Sequence, residues 1–265
     1  MPLSSPEPNT TIAITGASSG IGADIARSLA AKGYSVTLIA RRAERLEALA
    51  KDLEAQHGVT ALTISADLAD PQARANLADQ LHAGPQLIGL VNNAGLGAFA
   101  AVAEADPDVE RRMVEVNIAA VHDLTVRLLP GMVARGRGSI LNTASCAGYQ
   151  PIPYMATYAA TKAFVTSFSE AIATELSGTG VSCTALCPGP VRTEFSDVAG
   201  ASGLEDSMPS IAVVDAAEVA RQGVDGMIKG SRVVIPGIAN RISAVAGRVS
   251  PRALVLPISA KFAKR

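Results

Sequence analysis

TIAITGASSGIG, running from Thr11 to Gly22, is the stretch that decides how this chain is read. Its first half is short and rich in β-branched residues, which suits a strand buried on both faces. Its second half places Gly16, Gly20 and Gly22 at a turn that opens into a helical pattern. That pattern runs to Lys32 and stops at Gly33. Glycines at such a turn let backbone approach a pyrophosphate, and the following helix offers N–H donors and the positive end of its dipole. The spacing is G-x-x-x-G-x-G, not the more familiar G-x-G-x-x-G. A glycine-rich turn alone says little; its place between a first strand and a first helix gives it weight.

Outward from that turn, strand and helix patterns alternate. Strands are expected at Ser35 to Ala40, Thr60 to Ser65, Leu87 to Val91, Ser139 to Ala144, Val181 to Cys187 and Arg232 to Ile235. Helices are expected from Arg42 to about His57, from Pro71, and from Asp106-Pro107 towards Leu129, where Pro130-Gly131 interrupts. Further helices run from Ala156 to Ser177 and from Asp215 to Lys229, the latter opened by an Asp215/Glu218 capping box. No repeat or linker divides the chain. The expectation is one α/β domain over residues 11–240: a Rossmann-type, doubly wound parallel sheet of about seven strands with helices on both faces. Residues 1–10, with Pro2, Pro6 and Pro8, read as a disordered arm without a signal-peptide pattern. Residues 241–265 read as an amphipathic, basic extension of the same domain or a subunit contact.

Composition excludes several classes. Of 265 residues 48% are hydrophobic, only 3% are aromatic and none is Trp, so the core is aliphatic and base-stacking platforms are disfavoured. A net charge of −1 gives no electrostatic footprint for nucleic acid. Cys146, Cys183 and Cys187 have no CxxC spacing, and His57, His82 and His122 are scattered. Free thiols in a reducing, cytoplasmic setting and no metal site are expected. No apolar run is long enough to span a bilayer. Leu254, Val255, Leu256, Ile258 and Phe262 among Arg248, Arg252, Lys261, Lys264 and Arg265 would suit a membrane surface. A terminal helix packed on its own domain, or a contact between subunits, is the favoured reading.

The chemistry gathers where strands end. Tyr158 and Lys162 are four apart and share one helix face, so a cation beside the phenol is expected to lower its pKa towards a useful acid/base range. Such a pair alone also describes an ordinary amphipathic helix. After the second strand stands Arg41-Arg42, with no carboxylate until Glu44. Guanidinium forks there would hold the 2′-phosphate of NADP, where a carboxylate would hold the ribose hydroxyl of NAD. Ser18 and Ser19 add hydroxyl donors. Asp67, beside Leu68, is placed to accept from an adenine amino group, and Asn92-Asn93-Ala94-Gly95 follows the fourth strand at the ligand-binding edge.

Taken together, Thr15 to Gly22, Asp67, Asn92 to Gly95, Asn117, Ser145, Tyr158 with Lys162, and Pro188-Gly189-Pro190-Val191-Arg192-Thr193 resemble the short-chain dehydrogenase/reductase family, over roughly residues 10 to 235. The resemblance is nearest to its NADP-dependent branch of carbonyl, 3-oxoacyl and hydroxysteroid-type enzymes. It implies an oxidoreductase preferring NADP(H) over NAD(H). Ser145 would orient a substrate carbonyl, Tyr158 would protonate it, and Lys162 would tune Tyr158 and hold the nicotinamide ribose. Asn117 would bind a water reaching Lys162. Cofactor contacts are implied for Gly16, Ser18, Ser19, Gly20, Ile21, Gly22, Arg41, Arg42, Asp67, Leu68, Asn93, Ala94, Gly95, Tyr158, Lys162, Pro188, Gly189, Val191 and Thr193. Residues Phe195 to Ser210 would form a lid. Leu96, Phe99, Ala147, Tyr149, Ile152, Tyr154 and Met208 would wall an apolar substrate site. Homodimers or homotetramers through the long helices are usual in such families. The competing reading keeps the fold without catalysis, as an NADP-binding sensor or scaffold.

Overall fold

A computed structural model describes residues 3–200, 210–253 and 256–257. The strands are β1 (Thr10–Thr15), β2 (Val36–Ala40), β3 (Ala61–Ser65), β4 (Gln86–Asn92), β5 (Gly138–Thr143), β6 (Val181–Leu186) and β7 (Val233–Val234). They form one parallel sheet in the order β3-β2-β1-β4-β5-β6-β7. The strand order reverses between β1 and β4, and a cleft beyond the carboxyl ends of the strands is where such sheets bind ligands.

The period-2 alternation of β1 explains the layering. Ile12 and Ile14 enter one core cluster with helices α1 (Gly20–Ala30), α2 (Ala43–His57) and α8 (Ala216–Lys229). Ala13 enters the opposite cluster with α3 (Pro71–Ala83), α5 (Ala120–Ala134) and α6 (Ala156–Glu175). Both faces of the sheet are covered, so the inner strands are buried almost throughout, while the edge strands β3 and β7 are more open. Near the carboxyl ends of β4 and β5, Asn92 Nδ2 donates to Asn142 Oδ1 at 2.9 Å and to Thr125 Oγ1 at 3.1 Å. Asn142 Nδ2 donates to Ser169 Oγ at 2.9 Å. This buried network ties two strands to α5 and α6 beneath the edge where the site lies.

Three local expectations change. The long helix expected from Pro107 is α4 (Pro107–Val114), a π-helical turn over Glu115–Ala119, then α5. It runs through Pro130 to Ala134. The missing Pro130 N–H would have reached the carbonyl of Val126, which lies on the exposed face of the helix. At α8, Asp215 caps by accepting from Ala217 N at 2.9 Å, but Glu218 pairs with Arg221 at 2.6 Å and does not close a capping box. Where a disordered arm is expected, Leu3 is buried and its N–H reaches Ile228 O at 3.0 Å. Tyr34 Oη also donates to Ser4 O at 3.0 Å.

Candidate active site

The glycine turn forms one wall of the cleft. Gly16 has φ +68° and Gly20 φ +53°, both in the left-handed region. A Cβ on Gly16 would stand 2.8 Å from the Ala94 backbone, and one on Gly22 would stand 2.3 Å from Gly16 O and 2.4 Å from Asn93 Nδ2. The turn, the β4 end and the start of α1 are thus packed backbone to backbone, leaving the helix N-terminus open to the cleft. Thr15 Oγ1 locks this corner by accepting from Asn93 N at 2.9 Å and Ala94 N at 3.1 Å.

The cleft has a volume of about 560 Å³. Its lining includes Gly16, Ser18, Ser19, Gly20, Ile21, Arg41, Arg42, Asp67, Leu68, Asn93, Ala94 and Gly95. Ser145, Tyr158, Lys162, Pro188, Gly189, Val191 and Thr193 line it too. Gly22 and Asn117 are not in the wall; both lie behind it.

At one end, Arg42 is held by its neighbours. Its Nη2 donates to Ser19 Oγ at 2.7 Å and Ser18 Oγ at 2.9 Å, and its Nη1 to Glu194 Oε2 at 3.0 Å. Arg45 also reaches Glu194, at 2.8 Å. The hydrogen bonds from Arg45 and Arg42 hold the Glu194 carboxyl below the usual carboxylate range. Glu194 and Arg45 were not singled out from the sequence. Arg45 lies one helical turn along α2 from Arg42, a spacing that could have flagged it.

Asp67 differs from its expected setting. Arg112 Nη2 donates to both its carboxyl oxygens, at 2.6 and 2.9 Å. Burial pushes this carboxyl up, but hydrogen bonds from Arg112 and the Ala69 N–H outweigh it and the pKa falls. Asp67 therefore also anchors Arg112, which lines the cleft.

At the other end, β5 delivers Ser145 beside α6. Ser145 Oγ accepts from Ala147 N at 3.1 Å and donates to Pro188 O at 3.3 Å. A Cβ on Gly148 would stand 2.7 Å from the Lys162 carbonyl, so this glycine lets the Cys146–Tyr149 turn lie directly on α6. Ser145 lies close enough to Tyr158 to favour its phenolate. Lys162 Nζ donates to Thr143 O at 2.8 Å and sits 5.8 Å from the centre of the Tyr158 ring.

The expected lowering of the Tyr158 pKa is not found. Burial raises Tyr158 to about 12, against a lowering by the Ser145 hydrogen bond. Burial also lowers Lys162 to about 8. Desolvation penalises the charged form of each group, and the Lys162 ammonium is spent on a backbone carbonyl rather than on the phenol.

Asn117 sits in the π turn, a local widening of the helix that recurs at functional sites. Its side chain is fully engaged: Oδ1 accepts from Leu96 N at 2.8 Å, and Nδ2 donates to Leu96 O at 2.9 Å and Thr161 Oγ1 at 3.0 Å. It clamps the loop after β4 to α6 one residue before Lys162.

The apolar end of the cleft contains Leu96, Ala147 and Ile152 as expected, joined by Gly97, Met155, Ala212, Ala239 and Ser243. Tyr149 turns away: its hydroxyl meets Cys187 Sγ at 3.6 Å. Phe99 and Tyr154 stack on each other with centroids 5.9 Å apart, outside the lining. Met208 lies outside the described residues. Of the expected lid, α7 (Glu194–Val198) is described, capped by Thr193. Its Phe195 lies 5.4 Å from the Tyr158 ring and closes against Gly97.

Cys146, beside Ser145, is a thiol: burial raises its pKa to about 12, and its Sγ donates to Cys187 O at 3.3 Å. Among the described residues no cluster of ligands for a metal forms.

A parallel sheet with its cleft at the switch point, a glycine cradle at one end and a Ser-Tyr-Lys cluster at the other defines a dinucleotide-binding α/β protein. A family model for short chain dehydrogenases matches residues 10–202, and the chain belongs to that family. A very-long-chain 3-oxoacyl-CoA reductase of Danio rerio is 35% identical over 189 residues, which are 70% of this chain and 60% of that one. The chain thus spans about three fifths of the length of such curated relatives. A short-chain dehydrogenase from Sphingobium yanoikuyae, solved in complex with NADPH, is 33% identical with a TM-score of 0.82, covering 90% of this chain and 92% of that one. A bulky-bulky ketone specific alcohol dehydrogenase from Comamonas testosteroni is 31% identical with a TM-score of 0.77, covering 89% and 90%.

Proposed function

We propose that this chain is an NADP(H)-dependent reductase that interconverts a carbonyl and a secondary alcohol on an apolar small molecule, a ketone, 3-oxoacyl or steroid-like compound. The observation that carries the reading is the meeting of Ser145, Tyr158 and Lys162 at the apolar end of a cleft whose far end holds Arg42. The residues fit the cofactor: glycines at 16 and 22 let the turn pack against the β4 end and leave the α1 N-terminus facing the cleft for a pyrophosphate, and Arg42, Ser18 and Ser19 already form a donor cluster for a phosphate. Glu194 must yield when that phosphate arrives.

Bound NADPH supplies the hydride. Ser145 Oγ orients the substrate carbonyl, and the Tyr158 phenol gives its proton to the oxygen as negative charge develops there. A phenol raised to about 12 holds that proton at neutral pH until the substrate oxygen takes it. Lys162 would hold the nicotinamide ribose, and Asn117 holds the β4 loop against α6 so that the distances persist. Leu96, Ile152 and Phe195 exclude water and accept an apolar substrate. The ketone and 3-oxoacyl relatives support this substrate class, and the NADPH complex of the Sphingobium relative supports the cofactor. The three unpaired thiols suit a cytoplasmic setting, and exposed Val126 and Val133 on α5 suit a homodimer or homotetramer.

The test is the double variant Arg41→Ala/Arg42→Ala. Loss of charge-assisted phosphate contacts should weaken NADPH by about a hundredfold and NADH by little. Equal losses would refute the 2′-phosphate assignment.

A further inference from the structure

We propose that α9 (Ile238–Val249) seats this protein on an anionic phospholipid surface. The helix is built inside out. Its buried residues are Asn240, Ala244 and Gly247, all small or polar. Its outward residues Ile238, Ile242, Val245 and Val249 are 76%, 66%, 60% and 74% exposed. At 100° per residue these four fall within an arc of roughly 60°. A continuous stripe of four branched apolar side chains facing water marks a surface meant to be covered. No helix among the described residues is long and apolar enough to cross a membrane, so the geometry is that of a helix lying in the interface.

Charge decides what covers the stripe. Arg241 and Arg248 lie along one flank of it, and Arg252 follows. From Ser231 to Arg265 the sequence has seven Lys or Arg and no Asp or Glu, although the whole chain carries −1. Among the described residues, Glu170 of α6 is the one carboxylate in ion-pair range of these guanidiniums, at 3.8 Å from Arg248. Arg241 donates to Ile235 O at 2.9 Å and Arg252 to Gly247 O at 3.3 Å, contacts that leave their charge uncompensated. A two-fold contact would set this face against itself, cation against cation. The exposed valines of α5 offer a contrast: that helix carries Asp123 and Arg127 paired at 2.7 Å, mixed charge that suits a second copy. A basic flank beside an apolar stripe suits acidic lipid headgroups above acyl chains.

Ala239 and Ser243 of the same helix line the apolar end of the cleft. A seated α9 therefore holds the substrate mouth at the lipid interface. That consequence rests on the carbonyl-reductase reading and makes membrane-dissolved, lipid-like carbonyl compounds the substrate class.

The test is flotation of the full chain with phosphatidylcholine vesicles, with and without about 30% phosphatidylserine, a composition chosen to give the negative surface potential that draws basic segments. Binding should need the anionic lipid and weaken at high salt. Arg241→Gln/Arg248→Gln should cut partitioning about 25-fold. Ile242→Ser/Val249→Ser should cut it by about tenfold or more. Val126→Ser on α5 should leave it unchanged. Reduction of a water-soluble ketone by each variant reports an intact fold. If that activity is absent in every form while flotation persists, the enzymatic reading fails and the membrane seat stands. Flotation that ignores lipid charge, or is unmoved by both α9 variants, overturns the proposal. So does a fall in oligomer mass from the α9 variants with no change in flotation, which would assign the face to a second copy.

Discussion

Lys162→Met separates the cost of burying an ammonium from everything else that lysine does. Lys162 is 5% exposed, and burial lowers its pKa from 10.5 to about 8. Below about pH 8 both folded and unfolded chains carry the proton, and folding bears the whole burial cost. Above 10.5 neither carries it. Between these values the unfolded chain binds a proton that the folded chain lacks, so this residue's contribution to stability rises with pH. A folded pKa that is depressed thus gives stability that is fully present above the unfolded value and is lost as pH falls to the folded value. One proton over a span of about two pH units, from 8 to 10, is worth about 2–3 kcal/mol. Replacement by Met also orphans Thr143 O, which Lys162 contacts at 2.8 Å, but that loss is the same at every pH. The informative quantity is therefore the difference between wild type and variant in unfolding free energy, followed by denaturant titration from pH 7 to 10. Wild type should gain about 2–3 kcal/mol on the variant over that range. Tyr158, whose pKa rises from 10.0 to about 12, acts mainly above the window and is present in both proteins. Parallel curves would refute the claim that Lys162 is a desolvated ammonium.

Two further outcomes test neighbouring parts of the cleft. Glu194→Gln removes the carboxylate that competes for Arg42 and Arg45, so titration calorimetry should find tighter binding of 2′-phospho-ADP-ribose and unchanged binding of ADP-ribose; weaker binding of the phosphorylated ligand would make Glu194 a scaffold for the arginines and not a competitor. Cys146, with its thiol raised to about 12, should react with iodoacetamide at pH 8 at least tenfold more slowly than a free thiol; labelling at the free-thiol rate would show the turn after β5 open to solvent.

The sequence was most legible where local chemistry and topology coincide. The order of strands and helices follows from alternating apolar runs and turn residues, and the sheet confirms it down to the short β7. The glycine cradle was readable because a side chain at Gly16 or Gly22 would run into the backbone packed against it, and Gly16's φ of +68° adds to that cost. What was not readable depends on pairs distant in sequence. Arg112 meeting Asp67 spans 45 positions, and Arg42 meeting Glu194 spans 152. Phe195 over Tyr158 depends on the path of a loop. The direction of the Tyr158 shift was misjudged because spacing reports which groups share a face, while desolvation depends on everything packed around them. The solvent-facing stripe of α9 was invisible for a similar reason: a helical pattern gives an apolar face, and only the fold tells whether it points inward.

The most direct test of the account is Tyr158→Phe, which removes one hydroxyl and keeps the ring against Phe195. Carbonyl-dependent oxidation of NADPH should fall at least a thousandfold, in the range expected for loss of a general acid, while the affinity for NADPH measured by fluorescence stays within about twofold of wild type. Undiminished turnover in that variant would contradict the assignment of Tyr158 as the proton donor, and with it the central claim.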